Sequence, residues 1–247
     1  MLPDAVLRYA GHEDAVIDLH LPGGSLPTGA AGRVVVLLHG GFWKVEYDRR
    51  HTRPMARALA DEGWIVATPE YRRVGGGGGW PVTTEDVLLA VRRLPELLTS
   101  LGVDTALASR PPVVTGHSAG GHLALWLATT GLPIEHVVAL APVCDLREAI
   151  RLGLGGGATQ AFLGGNDPAA ADPMVLLADR PATEVAVVHG ADDEDVPIEL
   201  SRRLVAAHSW VSLRVLPGTG HMELVDPGSA AWPTVLGALR SPGIDSP

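Results

Sequence analysis

The sequence predicts a doubly wound α/β fold. Eight apolar runs enriched in β-branched residues recur along the chain, and helix-like segments alternate with most of them. The central runs, such as Val34-Val35-Val36-Leu37-Leu38, are nearly continuous, as expected for strands buried on both faces of a parallel sheet.

In chain order the strand-like runs are residues 5–9, 16–21, 33–38, 64–68, 112–115, 136–140, 184–188 and 211–216. The first two mix polar and apolar residues, with near alternation through Ile17, Asp18, Leu19, His20 and Leu21, which predicts an antiparallel entry at one edge of the sheet. Between the runs, residues 50–61 carry Met55 and Leu59 and stop at Gly63. Residues 84–99 space Val87, Leu88, Val91, Leu94 and Leu98 as one helix face does. Residues 122–130 continue as a helix, residues 197–207 open on a proline suited to a first turn, and residues 230–239 close the pattern. Residues 145–180 differ: Gly153, Gly155-Gly156-Gly157 and Gly164-Gly165 break up short apolar pieces. This predicts a short glycine-rich excursion off the sheet in place of a large cap, either a plain connection or a cover for a substrate. With no internal repeat and no linker, residues 1–247 are expected to form one domain with helices on both faces of a mostly parallel, eight-stranded sheet.

Composition narrows the function. A net charge of -9 without a basic run argues against nucleic acid, whose phosphates demand clustered Lys and Arg. No segment approaches about 18 uninterrupted apolar residues, so no membrane span is expected. The residues Met1-Leu2-Pro3-Asp4 lack the basic and apolar regions of a signal peptide, and one cysteine, Cys144, cannot form an internal disulfide; both point to a cytoplasmic protein. Gly75–Gly79 does not give the strand-to-helix turn with an acid about twenty residues on that a dinucleotide site needs. There is no phosphate-binding G-x-x-x-x-G-K-[ST] and no H-E-x-x-H, and His117 and His122 are five apart, wrong for two ligands on one helix face. No cofactor and no metal are expected.

Gly116-His117-Ser118-Ala119-Gly120 stands between a strand-like run and a helix-like run. In that context a Gly-x-Ser-x-Gly turn lifts a serine hydroxyl clear of the sheet, and the following helix aims its positive end at the site. Side chains at Gly116 or Gly120 would crowd the neighbouring backbone. His39-Gly40-Gly41-Phe42-Trp43 follows an earlier strand directly. A glycine pair there lets backbone amides approach the negative oxygen of a tetrahedral intermediate, with the amide of Ala119 as the complementary donor. A serine hydroxyl needs a base of pKa near ~6.5, which is histidine. Of ten histidines, His221 in Gly218-Thr219-Gly220-His221 follows the last strand, at the sheet edge that Ser118 faces. His39 and His189 end strands before glycine and are read as braces for loops. His117 and His122 flank the nucleophile and are read as structural. The orienting carboxylate belongs after residues 184–188, where Asp192, Asp193 and Asp195 compete; spacing alone does not choose among them.

These four motifs together resemble the α/β-hydrolase superfamily. The similarity is greatest to its esterase and kynurenine formamidase (arylformamidase) branch, whose oxyanion turn reads HGG-x-W. The resemblance runs from residue 33 to about residue 239. It implies a Ser118-Asp193-His221 triad, because the register Gly-x-x-Asp-x-x-Val-Pro falls on Gly190 to Pro197 with Asp193 as the acid. It implies oxyanion amides from Gly41, Phe42 and Ala119, with Gly40 shaping the turn. It also sets Trp43, Tyr71, Trp80, Asp145 and Leu146 where relatives have loops around the substrate. The expected activity is hydrolysis of a small, fairly apolar carboxylic ester or related acyl compound through an acyl-enzyme. N-formylkynurenine is a narrower substrate, and a non-catalytic binding module on the same scaffold is the alternative class.

Overall fold

The structure is a computed structural model that describes residues 2–26 and 32–241. Residue 1 and residues 27–31 and 242–247 of the expected 1–247 unit lie outside the described residues.

Eight strands form one sheet in the order β1-β2-β4-β3-β5-β6-β7-β8. They are β1 (Ala5–Arg8), β2 (Val16–His20), β3 (Arg33–Leu38), β4 (Trp64–Pro69), β5 (Val113–His117), β6 (His136–Leu140), β7 (Glu184–Gly190) and β8 (Ser212–Leu216). β1 and β2 pair antiparallel and β2 runs antiparallel to β4, which is the edge entry the alternating pattern predicts; every pairing from β4 through β8 is parallel.

The helices follow as α1 (Arg53–Asp61), α2 (Val82–Leu101), α3 (Thr105–Ala108), α4 (Ala119–Ala128), α5 (Leu146–Arg151), α6 (Leu154–Leu163), α7 (Pro173–Leu176), α8 (Glu199–Ala207) and α9 (Trp232–Arg240). Period-two geometry splits the strands between two cores. Val34, Val36 and Leu38 of β3 pack with α2, α4 and α8 on one face, while Val35 and Leu37 pack with Met55 and Leu59 of α1 and Val235 and Leu239 of α9 on the other. Helices therefore cover both faces, and the nearly continuous apolar strands are buried twice.

Where boundaries differ from expectation, caps explain it. The segment expected from residue 50 opens as a 3-10 turn whose first residues are capped by Asp48, and α1 starts at Arg53. α2 begins earlier, at Val82, and runs on to Gly102, whose φ of 102° is the left-handed stop a glycine adopts freely. α3 has no counterpart in the sequence reading: its four residues are too few to show a period, and Asp104 caps it. The 145–180 excursion leaves the sheet between β6 and β7 as α5, α6 and α7. Gly155, Gly156 and Gly157 hold φ of 60°, 67° and 86°, so the start of α6 is a left-handed strap rather than an open loop.

Candidate active site

The turns after β3, β5, β7 and β8 meet at the carboxyl edge of the sheet, and each supplies one part of the site. After β5, Ser118 sits at φ 58° and ψ -117°, a strained conformation for a residue with a side chain, which costs about 1–3 kcal/mol. The surroundings hold it there. Its N–H donates to the Leu140 carbonyl at 2.8 Å, and its own carbonyl accepts from Val143 at 3.2 Å and His122 at 3.1 Å. A Cβ on Gly116 would lie 2.2 Å from the Gly120 oxygen, and one on Gly120 would lie 2.2 Å from the Leu38 oxygen. Only glycine allows that turn to press onto β3.

After β3, Gly41, Phe42 and Trp43 take φ of 99°, 50° and 55°. A buried network fixes the start of this turn. His39 Nδ1 lies 2.9 Å from the Gly40 carbonyl and its Nε2 lies 2.8 Å from Glu70 Oε1. The Tyr71 hydroxyl donates to the His39 carbonyl at 2.7 Å, and the Tyr71 ring stacks on the His39 ring at 4.2 Å. Burial alone would push the Glu70 carboxyl up; hydrogen bonding to His39, with Arg49 and Arg73 beside it, holds it down at about 2. Gly40 lies against the elbow, where a Cβ would meet the His117 oxygen at 2.8 Å.

Among the acids after β7, Asp193 reaches the histidine after β8: His221 Nδ1 donates to Asp193 Oδ2 at 2.6 Å. Asp193 Oδ1 accepts from the backbone N–H groups of Asp195 at 3.0 Å and Val196 at 2.8 Å, and His189 Nε2 lies 3.3 Å from Oδ2. Burial pushes the Asp193 carboxyl up, but its bonds to His189 and His221 outweigh that and hold it well below the usual carboxylate range. With Nδ1 committed to Asp193, Nε2 is the nitrogen left to accept a proton. His189 also contacts Ser201 and the Val196 carbonyl, so it braces the acid loop as its sequence position suggests.

Ser118 and His221 line one cavity of about 350 Å³, together with Gly41 and Phe42. Tyr47, His51, His117, Asp195 and Met222 complete its wall. The sequence reading singled out none of these five for the pocket. Met222 and His117 each neighbour a motif residue in the chain, a signal that was present; Tyr47 comes from the irregular stretch before α1, where no periodicity marks a face, and His51 from the 3-10 turn that opens the segment expected as a helix from residue 50. His117 is both structural and part of the wall: its Nε2 donates to the His221 carbonyl at 2.9 Å.

The five expected substrate contacts lie elsewhere. Trp43 is fully buried and stacks on Phe162 at 4.4 Å, because its left-handed backbone turns it into the core. Tyr71 is spent on bracing His39. Trp80 packs edge-on against Trp126 at 6.1 Å. Asp145 caps α5 by accepting from Glu148 N–H at 2.9 Å and pairs with Arg203 at 2.7 Å, while Leu146 is fully buried. Cys144 is buried too, and burial pushes its thiol well above the ordinary value, away from a nucleophile's range. A second cavity of about 250 Å³, lined by Val34, Leu94, Leu98 and Pro112, opens at the opposite end of the strands. Among the described residues, no group of three or more His, Cys, Asp or Glu side chains is placed to hold a metal ion, and no helix is long and apolar enough to cross a membrane.

Sheet order, parallel pairing and the serine elbow after β5 define an α/β-hydrolase fold, and solved structures of that class superpose on the chain. Esterase B from Lactobacillus rhamnosis matches with a TM-score of 0.77 at 19% identity, covering 96% of this chain and 84% of that one. Thermogutta terrifontis esterase 2 phosphonylated by sarin matches with 0.72 at 22% identity, covering 96% and 91%. A truncated carbohydrate esterase from gut microbiota matches with 0.73 at 17% identity, covering 88% and 89%. At such identities the likeness establishes the fold. No curated protein matches the chain. The chain belongs to the BD-FAE family, whose sequence model matches residues 17–144, just over half of its length.

Proposed function

We propose that this chain is a serine hydrolase that cleaves a small, fairly apolar carboxylic ester or related acyl compound through an acyl-enzyme. The observation that carries this is the 2.6 Å bond from His221 Nδ1 to Asp193, made while His221 and the strained Ser118 face the same cavity. In this reading Ser118 Oγ attacks the acyl carbon as His221 Nε2 takes its proton. The carbonyl oxygen becomes an oxyanion held by the N–H groups of Gly41, Phe42 and Ala119. Ala119 opens α4, where an N–H group has no partner inside the helix. His221 then returns the proton to the leaving oxygen, and water, deprotonated by His221, releases the acid and restores Ser118. Asp193 holds the tautomer and stabilises the imidazolium. That the superposed neighbours are esterases, one of them inhibited by a tributyrin phosphonate, supports the reading.

The test is covalent labelling with a fluorophosphonate beside hydrolysis of p-nitrophenyl acetate. The expected result is one adduct on Ser118, and a loss of about 10⁴- to 10⁶-fold in kcat in Ser118→Ala. An unlabelled native protein without hydrolysis favours a binding module instead.

A narrower reading, an arylformamidase acting on N-formylkynurenine, is motivated by His39-Gly40-Gly41-Phe42-Trp43. Because Trp43 is buried against Phe162, that residue of the motif bears on the shape of the turn and not on substrate contact. Turnover of N-formylkynurenine compared with p-nitrophenyl acetate decides it: no deformylation at high enzyme concentration rejects it.

A further inference from the structure

The cavity in front of Ser118 carries an unbalanced charge. Its wall includes Asp195, and among the described residues no Lys or Arg lines it. The cations nearby in the chain are engaged elsewhere: Lys44 donates to the Gly155 carbonyl, Arg49 to Asp18 and Glu70, and Arg50 pairs with Asp48. The two other histidines of the wall do not offset the charge. Burial, then the neighbouring His39, lowers the basicity of His51, and burial, then His221, lowers that of His117 to about 3. Asp195 is therefore an acidic residue in a wall to which, among the described residues, no Lys or Arg contributes.

The backbone of Asp195 is fixed relative to the chemistry. Its N–H donates to Asp193 Oδ1 at 3.0 Å, which holds this exposed residue two positions from the acid that pairs with His221. His221 delivers the proton to the leaving oxygen, which sets the alcohol portion of an ester on the His221 side. Asp195 and Met222 line the same cavity as His221. Tyr47, half exposed, packs across Gly41 and brings an aromatic ring to that cavity. A carboxylate with an aromatic ring and a thioether is a combination that attracts an ammonium group: the first by charge, the ring by its quadrupole.

We infer that the site prefers esters whose alcohol portion carries an ammonium cation, with Asp195 as the counter-charge; this rests on the serine-hydrolase reading above. The test compares acetylcholine with its uncharged isostere 3,3-dimethylbutyl acetate, in which carbon replaces the quaternary nitrogen. Because effects on the hydrolytic machinery common to both esters cancel in it, the ratio of the two kcat/KM values is the measure. At low ionic strength the ratio is expected to favour the cation by about threefold to tenfold. It should shrink in 0.5 M salt, where the screening length falls below about 5 Å. Asp195→Asn should bring the ratio close to one, and Asp195→Lys should reverse it. A ratio near one in the unmodified protein, or a preference that survives Asp195→Asn, overturns the inference while leaving the hydrolase intact. Failure of both esters together with failure of fluorophosphonate labelling overturns the hydrolase reading, and this inference with it.

Discussion

His117 Nε2 donates a 2.9 Å hydrogen bond to the backbone carbonyl of His221, and the two rings lie 4.2 Å apart. The residue before the serine thus grips the loop that carries the base, tying the elbow after β5 to the turn after β8. Burial, then the neighbouring His221, keeps the His117 ring uncharged, with a pKa of about 3, so it does not compete for the proton. His117 is a positioning residue in this reading. His117→Phe removes the donor and should lower kcat by about fivefold to tenfold, the worth of one hydrogen bond of about 1 kcal/mol, with a smaller change in KM. His117→Gln retains a donor near Nε2 and should recover most of the rate. Equal losses in both variants, at equal melting temperatures, contradict the role.

In the proposed mechanism Asp193 and Asp195 separate two functions of one loop. Asp193→Asn leaves the histidine without its acceptor and is expected to reduce kcat on p-nitrophenyl acetate by about 10⁴-fold. Asp195→Asn, on the same uncharged ester, should cost less than about tenfold, the range of a solvent-exposed charge. Steady-state kinetics of both variants checks the assignment; an inactive Asp195→Asn beside an active Asp193→Asn reverses it.

The fold was legible because β3 to β7 are apolar on both faces, and only a doubly covered parallel sheet asks for that. The proposed reacting groups were legible because each stands at a fixed offset from a strand end: Ser118 in its glycine frame, His221 after β8. Asp193 needed more. Spacing left it level with Asp192 and Asp195, and only the family register favoured it until the 2.6 Å contact with His221 was seen. The substrate wall was illegible for a physical reason. Trp43 and Tyr71 are large and aromatic and so suggest a pocket, yet the left-handed turn at 41–43 and the stacking on His39 commit both to the interior. Tyr47 lies in irregular backbone and His51 in the short 3-10 turn before α1, where side-chain direction follows from tertiary contacts and not from the period of a long helix.

The glycine strap at the start of α6 presses on the proposed oxyanion turn. A Cβ on Gly155 would lie 2.7 Å from Cγ of Phe42, whereas one on Gly156 meets nothing within 4 Å, and the two residues share nearly the same φ, 60° and 67°. Both alanine variants therefore carry similar backbone strain, about 1–2 kcal/mol. Only Gly155→Ala also displaces the Phe42 ring. Its kcat/KM on p-nitrophenyl acetate should fall well below that of Gly156→Ala at a comparable melting temperature. Matching kinetics in the two would mean that Phe42 does not transmit the strap to the site.

Asp172 gives the excursion a pH dependence. Its carboxylate caps α7, accepting from Met174 N–H at 3.1 Å, yet the side chain is almost wholly buried. Burial raises its pKa from 3.8 to about 6, with the like charge of Asp145 adding to the rise and backbone N–H groups opposing it. Because the folded value lies above the unfolded one, the protonated group favours the fold. That contribution is complete below about pH 3.8 and is lost as pH rises through about 6. Asn in its place keeps the cap without a charge to bury. Asp172→Asn is therefore expected to melt higher than the unmodified chain at pH 8, by up to about 3 kcal/mol in stability, and to match it near pH 4. Thermal unfolding at the two pH values measures this. The same difference at both would show that the substitution acts through packing or capping and not through ionisation of Asp172.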